Sequence, residues 1–313
     1  MFKQRSYQKE LLDENIISSN LLYQNLKELE VINKYLGGHS VSLKGLKKVM
    51  VDGSKTYNII DIGCGGGDSL KTIAQWSKKK KYGINLTGVD LKQDCINYAQ
   101  HNCKEYTEIE FRCDDFRNVF TQENQIDIVH AALFCHHFTE DEVIEFIKLC
   151  SNNKATFVIN DLERNPIAYY SIKFLTSFFS KSPLVKNDAP LSVLRGFKKV
   201  EWKSILEKAG IKKYIVKNWW AFRHLIIAYP NELGNEIIKI EYSSKLHLIQ
   251  LPVLCITGKY DFTVPMGMAD EVMAKISSAK KKLFKLEHSG HICMENEPDK
   301  FYQEVIKFIE ENK

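Results

Sequence analysis

Residues 57–67, YNIIDIGCGGG, join a short apolar run to four glycines within five positions. The run is too short for a helix and rich in β-branched residues, so it reads as a buried strand. The glycines let the main chain turn sharply and let a ligand lie against bare backbone where a helix begins. Two nucleotide-binding turns fail here. A dinucleotide turn wants G-x-G-x-x-G, and its third glycine would fall on Asp68. A mononucleotide loop wants Gly-Lys-Ser or Gly-Lys-Thr, and neither follows. What stands instead is an acid and then glycine at alternate positions: Asp61, Gly63, Gly65 and Gly67. A tight turn with no ligand is the alternative reading.

Outward from this turn, four more apolar runs follow: INLTGVDL (84–91), EIEFRCDD (108–115), IDIVHAAL (126–133) and ATFVINDL (155–162). Helical stretches separate them at intervals of roughly 20–30 residues, the rhythm of strand–helix–strand units. The fold class is therefore α/β, with a doubly wound parallel sheet. KKYIVKNWW (212–220) and FRHLIIAY (222–229) sit close enough to pair as an antiparallel edge. Residues 1–36 read as helix, with leucine and isoleucine at three- and four-residue steps and Gly37-Gly38 as a stop. Between Asn165 and Val200 an aromatic insert, containing IAYYSIKFLTSFF (167–179), breaks the rhythm. It is either a packed helix or a lid over an apolar pocket, since insertions at the carboxyl ends of strands line such pockets.

Composition bounds the function. The chain has 313 residues, 44% hydrophobic and 27% charged, the make-up of a globular protein with one large or two smaller domains. No apolar run approaches the roughly 18–20 residues of a spanning helix, and the start lacks a secretory signal, so integral membrane association is not expected and the protein reads as cytosolic. The net charge of +5 is modest, and Lys78–Lys81 reads as a solvated loop, so nucleic acid is not expected as a partner. The eight cysteines form no C-x-x-C pair, so they read as free thiols and no metal is expected.

The next strand ends sharpen the glycine turn. Asp90 closes LTGVDL, where a carboxylate can accept two hydrogen bonds from a ribose diol. Asp114, with Asp115 beside it, follows the third run and can accept from an exocyclic adenine amine. Acids in turns are usually helix caps, but three successive strand ends with acids describe an adenosine pocket without phosphate-binding charge. Such a pocket also suits a cationic ligand.

DIGCGGGDS (61–69), LTGVDL (86–91), FRCDDF (111–116) and IDIVHAALFCHHF (126–138) resemble the ordered motifs of class I S-adenosylmethionine-dependent methyltransferases, over residues 20–229. YLGGHSVSLKGL (35–46), NDLERNPIAYY (160–170), LRGFKKVEWKSILEKAG (194–210) and WWAFRHLIIA (219–228) are similar to bacterial small-molecule enzymes related to those that methylate ubiquinone and menaquinone. The resemblance implies a Rossmann-like seven-stranded sheet. It also implies that Asp61, Gly63, Cys64, Gly65 and Gly67 contact the methionine part of S-adenosylmethionine. Asp90 and Leu91 would hold the ribose, Asp114 and Asp115 the adenine, and Ala131 would sit beside the sulfonium. Transfer is an in-line displacement, so the protein must orient the acceptor and exclude water. The implied acceptor is a small phenolic, quinol-like or lipidic hydroxyl compound. His136 and His137 follow the fourth strand, where a histidine can take the acceptor's proton or simply form the pocket wall. Asp161 and Arg164 at the fifth strand end are candidates for orienting it.

The text changes after Tyr229-Pro230. SSKLHLIQLPVLCITGKYDFTVP (243–265) and LFKLEHSGHICMENEPDKFYQEVIKFI (283–309) resemble the carboxyl-terminal segment of α/β-hydrolases of the proline-iminopeptidase-like type. Asp261 matches the catalytic acid and His291 the catalytic base. The nucleophile should stand on a G-x-S-x-G elbow upstream. The nearest text, Gly38-His39-Ser40-Val41-Ser42, lacks the second glycine and reads as helix. The expected organisation is a methyltransferase domain over 1–230, with a helical part over 1–50 and a lid insert over 165–200, followed by a hydrolase fragment over 231–313. The alternatives are a hydrolase or peptidase using Asp261 and His291, and a non-catalytic adenosine-binding protein.

Overall fold

The apolar runs become β1 (Thr56–Ile62), β2 (Gly83–Asp90), β3 (Ile109–Cys113), β4 (Ile128–Ala132), β5 (Thr156–Leu162), β6 (Tyr214–Trp219) and β7 (Arg223–Ala228). The computed structural model describes residues 2–13, 17–122, 125–231, 246–259, 261, 266–289 and 293–312. The chain forms two compact units, Met1–Glu232 and Leu233–Lys313.

In the first unit the seven strands lie in the order β3-β2-β1-β4-β5-β7-β6. β1 to β5 run parallel, with Asp61 opposite Gly88 on one side and opposite His130 on the other. β7 runs antiparallel to both β5 and β6, which makes the hairpin expected from residues 212–229. The first unit is thus an α/β, Rossmann-like fold with a seven-stranded mixed sheet. Strand order reverses at β1, so the carboxyl ends of β1 and β4 open a crevice where open α/β sheets bind ligands.

The helices are α1 (Ser19–Tyr35), α2 (Gly38–Val49), α3 (Asp68–Lys80), α4 (Gln93–Asn102), α5 (Phe116–Gln122), α6 (Glu140–Asn152), α7 (Pro166–Phe179), α8 (Pro183–Arg195) and α9 (Lys199–Lys208). They cover both faces of the sheet, so its central strands are apolar on both sides rather than alternating. Ile60, Ile62, Val129 and Ile159 pack against Val143, Ile147, Trp202 and Ile205 on one face. Ile59, Val158 and Leu225 pack against Val41, Leu46, Leu70 and Ile73 on the other. Gly45 lets α2 approach β5, because a Cβ there would stand 2.5 Å from Val158 Cγ1.

The leading helix is shorter than its periodicity predicts. Residues Leu11–Asp13 form a single 3₁₀ turn. The Asp188 carboxylate of α8 accepts hydrogen bonds from the backbone of Leu11 and Leu12, each at 2.9 Å, and this tertiary tie overrides local helix propensity.

The second unit pairs β8 (Val253–Gly258) in parallel with β9 (Lys281–Leu286). Helices α10 (Met266–Lys275), α11 (Cys293–Asn296) and α12 (Pro298–Glu311) accompany them. No helix among the described residues is long and apolar enough to cross a membrane. All eight cysteines are free thiols, and burial pushes Cys64, Cys135 and Cys150 well above the ordinary thiol range.

Candidate active site

A cavity of about 290 Å³ opens at the carboxyl ends of β1 to β4. The turn from β1 to α3 forms its floor. Gly63, Gly65 and Gly67 have φ of 66°, 51° and 74°, a left-handed backbone that side chains rarely adopt. Gly63 also has no room, since a Cβ would stand 2.3 Å from the Phe134 ring. Gly67 serves packing: it does not line the cavity, and a Cβ there would stand 3.0 Å from Cys103 Sγ. Gly66 takes its place in the lining.

Asp90 braces the turn. Its carboxylate accepts from Gly65 N at 3.0 Å and Lys92 N at 2.9 Å, while burial pushes its pKa above the ordinary value. Asp61 is buried and accepts from His130 Nδ1 at 2.7 Å, and His130 Nε2 meets Ser42 Oγ at 2.8 Å. Asp114 accepts from its neighbour's backbone N–H and from Asn118, and Asp115 pairs with Arg117 at 2.8 Å. Asp61, Asp90, Asp114, Asp115, Cys64 and Leu91 all line this one cavity. Ala131 does not: it is fully buried in β4, and Ala132, Leu133 and Phe134 form the wall. Phe116 meets Phe134 and Phe138 edge to face at 5.7 and 5.9 Å, and Phe134 and Phe138 tilt against each other at 4.7 Å, an apolar aromatic cluster beside the acids.

Two groups on this wall were not legible in the sequence. Asp68, where the dinucleotide pattern fails, accepts from His39 Nε2 at 2.8 Å and Asn33 Nδ2 at 3.0 Å. Burial raises its pKa, but the contacts with His39, Asn33 and the Ser69 backbone together outweigh burial and hold it below the ordinary value. Leu133 has φ of 54° without being glycine, a strained backbone at the end of β4.

A second cavity of about 270 Å³ adjoins the first, and Leu12, Leu29, Leu133 and His137 line both. Its walls are mostly apolar. α1 supplies Ile32 and Leu36, and the turn between β6 and β7 supplies Trp220 to Phe222. The insert supplies Ala168, Ile172 and Leu175 from α7 and Val185 and Val193 from α8. α7 starts where Asn165 caps it at 2.9 Å and Pro166 opens the first turn. Its opposite face, with Ile167, Tyr170, Phe174 and Phe178, is exposed.

Asn25, Ser171, Asp188 and Arg223 add polar groups to these walls, and a denser polar cluster gathers around Glu10. His136 Nδ1 meets Asp161 Oδ1 at 2.7 Å, and its backbone N–H donates to the other carboxylate oxygen at 3.0 Å. His137 Nδ1 meets Asp13 Oδ1 at 3.0 Å. Both Nε2 atoms face Glu10, at 3.6 and 4.0 Å. Glu10 is buried, and burial pushes its pKa up to about 7. Ser192 donates to it at 2.8 Å. Arg195 holds the His136 and His137 carbonyls at 3.1 and 2.8 Å and pairs with Asp13 at 3.3 Å.

Asp161 therefore lies beneath His136 rather than on a cavity wall, and Arg164 lies on neither wall. Arg164 donates to Gly196 O at 2.7 Å and pairs with Glu201, tying the insert to α9. Its place at the end of β5 suggests a ligand contact, but its long side chain turns back into the protein. Glu10 gave no signal in the sequence, because it reaches the histidines only through the fold. In the second unit Asp261 is buried after β8, and His291 lies outside the described residues. Ser40 stands inside α2 and donates to Gly37 O, so no nucleophile elbow exists there.

Residues 59–153 match the family described as "Methyltransferase domain". A curated relative, the mitochondrial ubiquinone biosynthesis O-methyltransferase of Saccharomyces cerevisiae, is 24% identical over 133 residues. That match covers 40% of this chain and 40% of the relative. Similar solved structures include a SAM-dependent methyltransferase from Aquifex aeolicus, 17% identical, with a TM-score of 0.47 over 66% of this chain and 97% of the other. Another is an O-methyltransferase family 2 protein from Planctomyces limnophilus in complex with apigenin, 12% identical, with a TM-score of 0.49 over 70% of this chain and 63% of the other.

Proposed function

We propose that the chain is an S-adenosylmethionine-dependent methyltransferase acting on a small hydroxylated acceptor, phenolic, quinol-like or lipidic. The observation that carries this reading is the pair of adjoining cavities, one acidic and floored by glycine, one apolar, meeting at Leu133 and His137.

The first cavity fits the cofactor on two counts. Its turn presents bare main chain, since Gly63 and Gly65 stand in left-handed backbone. Its lining carries Asp61, Asp68, Asp90, Asp114 and Asp115 against Lys92 and Arg117, a balance that suits a cation and repels a phosphate. Asp90 would hold the ribose, Asp114 and Asp115 the adenine, and Asp61 with the glycine turn the methionine end. The Phe116, Phe134 and Phe138 rings offer the adenine an apolar aromatic wall. When bound, the cofactor supplies a methyl group activated on a sulfonium.

The chain's own residues do the rest. α7 and α8 cover the second cavity and exclude water from it, which strengthens every polar contact inside. The apolar walls hold the body of the acceptor, and the Glu10, His136 and His137 cluster is the place where its hydroxyl is ionised. Asp161 and Asp13 orient the two imidazoles. Oxygen is the favoured acceptor atom because a hydroxyl set against this cluster can pass its proton to it directly as the oxygen attacks. The curated yeast relative is named for O-methylation, which agrees.

The second unit we read as a catalytically silent remnant of a hydrolase. Asp261 has no serine or cysteine on a strand-to-helix elbow to work with among the described residues, and an acid and histidine alone cannot run acyl transfer.

Calorimetry with S-adenosylmethionine and then a methyl-transfer screen over catechols, hydroquinones and hydroxylated fatty acids tests the reading. Binding at one site per chain and transfer to an oxygen are expected. A well-folded protein that binds no S-adenosylmethionine overturns it.

A further inference from the structure

We propose that Glu10, His136 and His137 hold a divalent transition-metal ion at the inner end of the apolar cavity, and that the acceptor's hydroxyl binds this ion. The second half rests on the methyltransferase reading above; the first half does not.

The donor set is two imidazoles and one carboxylate, with the ligand atoms all within 4.8 Å of one another. Two ligand atoms on one ion, at bonds of about 2.0–2.2 Å, stand about 3–3.5 Å apart. Glu10 Oε1 lies 3.6 Å from His136 Nε2 and Oε2 lies 4.0 Å from His137 Nε2, so the three groups must draw together by up to about an ångström to close on one ion.

What surrounds the three groups is the arrangement that metal-ligating histidines use. Each ring is held at Nδ1 by a carboxylate, His136 by Asp161 at 2.7 Å and His137 by Asp13 at 3.0 Å. Such a partner fixes the tautomer that carries its proton on Nδ1 and leaves the Nε2 lone pair free for a cation. Two adjacent histidines each with its own carboxylate, and both aimed at a third carboxylate, exceed what a pocket wall needs. Arg195, the nearest cation, comes only to 3.8 Å of Glu10 and is engaged by Asp13 at 3.3 Å and by backbone carbonyls.

Imidazole with carboxylate suits zinc, cobalt or iron(II) rather than magnesium or calcium, which take mostly oxygen. Three protein ligands leave a coordination position open, and all three residues line the cavity that would hold the acceptor. A hydroxyl at that position is polarised, its O–H bond breaks near neutral pH, and the proton leaves to solvent.

The test uses the full chain with Zn²⁺ and Co²⁺ as probes, followed by calorimetry and by the visible absorption of Co²⁺, without acceptor. One site per chain is expected, with imidazole–carboxylate d–d bands. Glu10→Gln and His137→Gln should each weaken Co²⁺ at least about tenfold, and Asp13→Asn about 10–100-fold, while S-adenosylmethionine affinity stays unchanged in Glu10→Gln, whose side chain lines only the apolar cavity. The unchanged cofactor affinity serves as the fold check. Metal binding without cofactor binding would sink the methyltransferase reading and leave the site standing. Absence of Co²⁺ binding in the unsubstituted protein, affinity untouched by both Glu10→Gln and His137→Gln, or intense near-ultraviolet thiolate bands placing the ion on cysteine each overturn the proposal.

Discussion

The two cavities sit side by side and are built in opposite ways. The acidic one is floored by main chain and short acids within a few residues of the ends of consecutive strands, with Leu12, Asp13, Leu26, Leu29 and Asn33 closing it from the amino-terminal part. The apolar one is made of long side chains from α1, α7, α8 and the β6–β7 turn, and its polar cluster joins Glu10 to His136 and Asp13 to His137 across most of the domain. A site made of backbone is fixed by local geometry and tolerates little. A site made of helix faces can be re-lined while the sheet below stays the same, which fits one cofactor serving many acceptors.

That contrast breaks most sharply at Gly63. Gly63→Val places a β-branched side chain in a left-handed backbone, at a strain of about 1–3 kcal/mol, and drives it into Phe134. S-adenosylmethionine binding measured by calorimetry should fall at least about a hundredfold. The mirror variant, Ile172→Trp, should fill the apolar cavity, abolish methyl transfer and leave cofactor affinity untouched. If Gly63→Val binds normally, or Ile172→Trp loses cofactor, the two cavities are not the separate sites described.

The comparison sharpens with pH. His224 of β7 lies opposite Asp161 in register and is fully buried, with Nε2 donating to Phe197 O at 3.1 Å. Burial lowers its pKa from 6.5 to about 4. Between those values the unfolded chain holds a proton that the folded chain lacks. Stability is therefore fully present above about 6.5 and is lost as pH falls toward 4, by up to ~3 kcal/mol. Denaturant unfolding from pH 7 to 4 should lose that component in His224→Gln. A difference curve with no slope in this window would show that His224 does not titrate as its burial implies.

Asp90 is next in size. Asp90→Ala removes the acceptor for Gly65 N and Lys92 N and, if the cofactor binds as proposed, the ribose contact. A cost of about 1.5–3 kcal/mol in S-adenosylmethionine affinity is expected, the scale of hydrogen bonds to a charged group. An unchanged affinity would remove Asp90 from the cofactor site.

The acidic cavity is the legible one for a physical reason. Its chemistry depends on residues at strand ends, and strand ends can be placed from short apolar runs, so Asp61, Asp90 and Asp114 can be located from the amino-acid sequence alone. Ala131 misses the wall by one residue, because strand ends read from sequence carry that much slack. Gly67 looks like a ligand contact and is a packing glycine, since both uses demand the same missing side chain. The Glu10 cluster is invisible in the sequence because no local pattern joins an amino-terminal turn to the residues after β4. Tertiary ties bring Glu10 there, from Asp188 to Leu11 and Leu12, from Ser192 to Glu10 and from Arg195 to Gln8 O and Asp13. Arg164 fails for the converse reason: its backbone is at a strand end, but a long side chain is free to point elsewhere.

The smallest expected effect is at the second unit. Residues Leu233–Lys313 form their own compact unit, while every residue lining the two cavities falls within Met1–Glu232. A chain ending at residue 232 should therefore bind S-adenosylmethionine within about twofold of the full chain, well under the 1.4 kcal/mol that a tenfold change represents. The second unit alone contributes two paired strands among its described residues, too few to build the sheet on which an α/β-hydrolase displays its nucleophile. The full chain should therefore turn over neither aryl esters nor proline anilides. Ester hydrolysis abolished by Asp261→Asn would restore the second unit as an active site. Loss of cofactor binding in a truncated chain that still unfolds cooperatively would show that the first unit depends on its neighbour.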